Sequence, residues 1–270
     1  MLEQARDLLA EVEEFDRFLG SLEPSDWQTP TSFRDWTPWD VVAHLHFYDR
    51  VSLVALAGRE AFRGRRSELV RALAAGRTNR ELARRELGEL PAEELRGRWR
   101  ETAGRLAREL GGRDPRDRLP WFGPDMGVRM FTTARLMETW AHGQEVYDLL
   151  GASREPTDRL RHVAEIGVRT FGWTFVNRGL EPPGPPPLVR LRLPSGAVAE
   201  WNPGNEADAV VGEALDFCQV VTQTRNVADT ALEVRGPVAT AWMAIAQCFA
   251  GPPADPPRPG ERLPRPARAG

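Results

Sequence analysis

Glu138 and His142 stand four residues apart in the run RMFTTARLMETWAHGQEVYDLLG. On a helix this spacing places both side chains on one face. A carboxylate and an imidazole so placed can converge on a divalent cation, with a further donor supplied by a facing helix. His44 is the candidate for that donor. It lies among Val41, Val42 and Leu45, on a stripe that a helix would turn towards its core. An unpaired imidazole there costs about 1–3 kcal/mol, and a metal would satisfy it. Two imidazoles and one carboxylate leave a coordination position open, which is the pattern of a catalytic site and not of a closed structural one. The same residues have a plainer reading. A Glu and a His at this spacing are commonly a hydrogen-bonded surface pair, and a lone core histidine is commonly satisfied by its neighbours. His46 stands roughly 200° around the helix from His44, and His162 has no partner in sequence, so neither joins the set.

The elements that must carry these residues are mostly helical. Leu2, Ala5, Leu8, Leu9, Val12, Phe15 and Leu19 repeat at helical spacing up to Gly20. A second helix is expected to start at Thr37-Pro38, with Thr37 as N-cap and Asp40 in the first turn, and to end at Gly58. Further helices are expected over about 66–88, 91–110, 128–150 and 156–178. The proline-rich stretch 181–187 then reads as a stiff linker. LVRLRLPSGAVAEW reads as two strands about a Pro194-Ser195-Gly196 turn. Residues 207–223 read as helix, 231–235 as strand and 237–250 as helix, and the tail from Gly251 reads as disordered. The expected layout is a helical domain over 1–152, a smaller α+β domain over 153–251 and a disordered tail over 252–270.

Composition narrows the function. All 36 basic residues are arginine, which removes Schiff-base lysine chemistry and the lysine of a phosphate-binding P-loop. A net charge of -3 offers no global field for nucleic acid or an anionic membrane. The opening MLEQARDLLAEVEEF is acidic and amphipathic, unlike a signal peptide, and no apolar run approaches the roughly 20 residues of a membrane span. A soluble cytoplasmic protein is expected. Cys218 and Cys248 lie in apolar surroundings and read as inert thiols.

WTPWDVVAHL at 36–45 and ARLMETWAHGQEVYDLLG at 134–151 together resemble the mycothiol-dependent maleylpyruvate isomerase family, within the larger DinB-like metalloenzyme group. The run EALDFCQVVTQTRNVADTALEVRGPVATAWMAIAQCFAGPP resembles the α+β domain that follows the bundle in such actinobacterial proteins, so the likeness spans about 1–251. The resemblance implies a DinB-like four-helix bundle followed by a smaller α+β C-terminal domain. It implies that His44, Glu138 and His142 bind a divalent ion, Zn²⁺ by default with Fe²⁺ or Ni²⁺ compatible. It also implies mycothiol as a low-molecular-weight thiol cosubstrate.

The chemistry that follows is metal activation of a thiol for attack on a small electrophile, as an isomerase or an S-transferase. Isomerisation would proceed by addition, bond rotation and elimination. The alternatives are thiol-independent hydrolysis or elimination at the same metal, and a non-catalytic metal-binding protein. Arg135, three residues before Glu138, could clamp a substrate carboxylate bidentately. Arg225, with Asn226, could bring a polar loop of the second domain to the pocket. Trp36, Trp121, Phe122 and Trp140 read as pocket wall or core, and the loop PWFGPDMG as a cap.

Overall fold

The structure, a computed structural model, describes residues 1–266; the final residues of the expected tail, 267–270, lie outside the described residues. The chain forms two compact units, Met1–Gly143 and Gln144–Gly270.

The first unit is helical. It holds α1 (Glu3–Leu19), α2 (Pro38–Leu56), α3 (Arg59–Ala74), α4 (Asn79–Leu87), α5 (Ala92–Gly111) and most of α6 (Val128–Leu150). The apolar stripe of α1 (Leu8, Val12, Phe15, Leu19) is buried, and α1 packs on α5, as α5 does on α2. A short antiparallel hairpin, β1 (Arg118–Leu119) and β2 (Met126–Gly127), leads into α6.

Local chemistry explains the boundaries of α2. Thr37 accepts from the Asp40 amide and Asp40 accepts from the Thr37 amide at 3.0 Å, a reciprocal capping box with Pro38 at the first helical position. The Asp40 carboxylate also receives Arg80 at 2.8 Å and Arg84 at 2.5 Å, tying α4 to the start of α2. The charged segment 66–88, expected as one helix, is two. Gly76 takes a left-handed φ of 84°, and a second capping box at Thr78 and Glu81 restarts the chain as α4.

The second unit is α+β. It holds α7 (Leu160–Arg169), α8 (Phe171–Val176), β3 (Leu188–Arg192), β4 (Val198–Trp201), β5 (Ala209–Glu213), α9 (Ala214–Val221), β6 (Glu233–Arg235) and α10 (Pro237–Met243). The sheet order is β4-β3-β5-β6, with β3 and β5 parallel and the outer pairs antiparallel. No helix among the described residues is long and apolar enough to cross a membrane.

Within the second unit Glu145 and Asp148, both buried, receive Arg262 and Arg225. Three expectations for this half need correction. The start of 207–223 is strand, because Ala209-Val210-Val211 pairs in parallel with β3 before α9 begins. The helix expected over 156–178 breaks at Thr170, whose hydroxyl donates to the Ile166 carbonyl at 2.7 Å. The tail over 252–266 is held in place, not disordered. Ala254 N donates to Gln247, Asn226 to the Pro257 carbonyl at 2.7 Å, Gly260 N to Asp229, and Arg265 N to the Asp148 carbonyl at 2.8 Å.

Because Thr37 closes both halves of its capping box, Thr37→Ala is expected to lower unfolding free energy by about 1 kcal/mol. Urea denaturation measures it. An unchanged midpoint would show that Asp40 and the two arginines hold the helix start without the hydroxyl.

Candidate metal centre

His44 projects from the second turn of α2, and Glu138 and His142 from successive turns of α6. Glu138 Oε2 stands 3.4 Å from His44 Nε2 and 3.4 Å from His142 Nε2. One ligand atom from each of the three lies within 4.8 Å of the others. Direct hydrogen bonds to a charged carboxylate are shorter, roughly 2.7–2.9 Å. Ligand atoms bound at about 2.0–2.1 Å to one tetrahedral ion stand roughly 3.3–3.4 Å apart. The separations therefore fit donors spaced around a cation better than a closed ion pair. His44 Nδ1 is buried without a hydrogen-bond partner, so the 3.4 Å approach to Glu138 is the sole polar contact of this imidazole among the described residues.

The electrostatics suit the same purpose. Burial lowers the His44 pKa to about 4, against the pull of Glu138, which leaves the imidazole neutral with a lone pair to offer at neutral pH. Burial raises the Glu138 carboxyl, but the imidazoles of His142 and His44 beside it outweigh burial and hold the group well below its ordinary value. Glu138 is thus an anion between two imidazoles. His44 is buried, whereas the side chains of His142 and Glu138 keep 15% and 23% of their exposure, so the cluster is partly reached by solvent through these two residues.

Aromatic rings wall that cluster. Trp36 lies parallel to the His142 ring at 5.5 Å and 5.1 Å from His44. Phe33 meets His142 edge-on at 5.4 Å, and Tyr48 lies 4.9 Å from His44 with its hydroxyl donating to Asn79 at 2.8 Å. The turn that presents Phe33 and Trp36 has two consecutive residues at positive φ, Arg34 at 52° and Asp35 at 55°. It is closed by Thr31 N donating to the Trp36 carbonyl at 2.8 Å. Such backbone is strained and persists only where its surroundings enforce it. Phe122, from the loop between β1 and β2, reaches Tyr48 at 6.4 Å, while Trp121 stacks on Phe62. Trp140 is core.

A family model described as the mycothiol maleylpyruvate isomerase N-terminal domain matches residues 8–147. The chain belongs to this family. The matched span of the mycothiol maleylpyruvate isomerase N-terminal domain contains His44, Glu138 and His142 and excludes Arg225. Two uncharacterized proteins of Mycobacterium tuberculosis, from the CDC 1551 and H37Rv strains, are each 42% identical over 248 residues, covering 92% of this chain and 95% of theirs. The fold is similar to the crystal structure of the mycothiol-dependent maleylpyruvate isomerase and to that of a histidine-to-alanine mutant of it. For both, the TM-score is 0.50 at 16% identity, over 81% of this chain and 87% of theirs.

The two arginines singled out from the sequence are both engaged. Arg135 is 4% exposed and its Nε donates to Asp49 Oδ1 at 3.0 Å, joining α6 to α2. Arg225, in the second unit, grips both carboxylate oxygens of Asp148 at 2.6 and 2.8 Å. Phe33, Tyr48 and Asn79 escaped the sequence reading. Tyr48 had a usable signal, since it follows His44 at the same four-residue spacing that picked out Glu138 and His142.

Asp49→Ala would leave the Arg135 guanidinium charged, buried and unpaired, at an expected loss of about 3–5 kcal/mol. Replacing both, Asp49→Leu with Arg135→Met, should recover most of it. Equal losses in the single and double variants, read by chemical denaturation, would contradict this account of the pair.

Proposed function

We propose that this chain is a metal-dependent enzyme that uses a low-molecular-weight thiol, of the isomerase or S-transferase type, acting on a small electrophile. The observation that carries this reading is the convergence of two imidazoles and one carboxylate from two helices. The donor set fits a divalent ion, with zinc first and iron or nickel compatible. Family membership supports a thiol-linked reaction and mycothiol as the thiol.

When bound, a divalent ion supplies positive charge that favours a thiolate over a thiol near neutral pH. His44 contributes a neutral donor, because burial keeps it unprotonated. Glu138 contributes the negative charge, held ionised by its two imidazole neighbours. Trp36 and Phe33 exclude water from the His142 side of the cluster, and Tyr48 does so beside His44. A poorly hydrated site strengthens every charge interaction within it. The buried Arg135–Asp49 pair fixes α6 against α2 one turn from the ligands, and so positions them. In this reading Arg135 acts through that pair. Substrate carboxylates would then find their cation elsewhere, and Arg34 is an exposed candidate, its guanidinium lying over the Phe33 ring at 5.2 Å.

Protein purified without added metal is expected to hold about one divalent ion per chain. His44→Ala and His142→Ala should each lose it while remaining folded. Turnover of maleylpyruvate is expected to require both the ion and mycothiol. Metal retained by both variants would overturn the ligand set. Turnover that ignores the thiol would move the assignment to hydrolysis or elimination.

A further inference from the structure

The face of α2 opposite His44 borders a cleft against α5. His46 and Arg50 line it from α2, and Arg98, Glu101, Thr102 and Arg105 from α5. It is open to solvent and has a volume of about 480 Å³, within the size range of small-molecule sites. All of these residues belong to the first unit.

His46 is the unusual member. It is 5% exposed, its Nδ1 is buried without a partner, and no hydrogen bond to its Nε2 is found among the described residues. Buried polar groups are almost always bonded. An imidazole that lines a cleft with neither nitrogen used can donate an N–H to a ligand there.

The three guanidinium groups are available. Arg50 pairs with Glu86 at 2.9 Å, Arg98 with Glu94 and Arg105 with Glu109 at 2.7 Å, while retaining 47%, 53% and 65% side-chain exposure respectively. Exposed pairs of this kind are weak, and a guanidinium has five N–H donors. Each arginine can therefore turn a second edge to a ligand. Thr102 adds a hydroxyl to the same wall. Among the lining residues three guanidinium groups accompany one carboxylate, Glu101, while Glu86, Glu94 and Glu109 pair with the arginines from outside the lining. With the positive charge already largely offset, a compact dianion that engages the arginines' remaining N–H edges suits the cleft better than a highly charged polyanion.

We propose that this cleft binds a small dianion, a dicarboxylate or a phosphate, at a site separate from the His44–Glu138–His142 cluster. The imidazole of His46 and the guanidinium groups of Arg98 and Arg105 supply the donors. The proposal stands whether or not the metal reading holds, since it uses none of the same residues.

Calorimetric titration of the full chain with succinate, and separately with inorganic phosphate, at fixed ionic strength tests it. At least one probe is expected to bind saturably at one per chain, and whichever binds identifies the dianion type. Arg98→Gln with Arg105→Gln should weaken binding about tenfold or more, as loss of charge-assisted hydrogen bonds does. His46→Phe, which keeps a ring in place, should weaken it several-fold, a loss that charge screening alone would not give. Glu101→Gln should strengthen it. Thermal melts of the variants check folding. Affinity unchanged in the His46 and arginine variants overturns the proposal, as does binding lost in His142→Ala but kept in the cleft variants, which would place the anion at the metal centre. Saturation by neither probe overturns it as well.

Discussion

A carboxylate flanked by two imidazoles at 3.4 Å is the interaction on which the rest of the first unit depends. Taking that carboxylate out of water is unfavourable, and the two rings make it tolerable only while they stay beside it. The helices that bring them together must therefore be fixed to within a fraction of an ångström. The buried Arg135–Asp49 pair joins the same two helices one turn away. The parallel stack of Trp36 on His142 sets the outer side. Each of these contacts restricts the same degree of freedom, the position of α6 against α2.

α2 is the element that serves all of them. Along its successive turns it carries the Thr37–Asp40 capping box, then His44, then Tyr48 and Asp49. On its other side lie His46 and Arg50, facing α5. A helix with polar groups at so many buried positions has little amphipathic contrast, and fifteen of its nineteen residues are buried. Its start is correspondingly well secured, with the cap reinforced by Arg80 and Arg84. The cost of the polar positions is met largely by specific partners, with His44 Nδ1, His46 Nδ1 and Asp49 Oδ2 as the buried exceptions.

Much of the first unit was legible in the sequence because its signals are local. Thr37-Pro38-x-Asp40 states a helix start through side-chain to backbone bonding, and the spacing from Glu138 to His142 states a shared face. What was not legible depends on contacts distant in sequence. Arg135 reads as a free cation until Asp49, 86 residues away, is seen to hold it. Arg225 reads as a loop cation until both carboxylate oxygens of Asp148 are seen to accept from it. The strand in Ala209–Glu213 depends on pairing with β3, since Ala-Val-Val-Gly-Glu is compatible with either state until a partner decides. The tail composition reads as disordered because proline, glycine and arginine supply little core, yet its backbone finds partners in Gln247, Asn226 and Asp148. Phe33 is placed by two consecutive left-handed residues, Arg34 and Asp35; aspartate tolerates that backbone, but arginine gives no sign of it in the sequence.

Anomalous scattering from crystals of the full chain, recorded on either side of the zinc absorption edge after equilibration with zinc, tests the central claim most directly. A single strong peak is expected at bonding distance from His44 Nε2, His142 Nε2 and a Glu138 carboxylate oxygen. Crystals in which zinc sits elsewhere, while Glu138 closes direct short hydrogen bonds with both imidazoles, would contradict it.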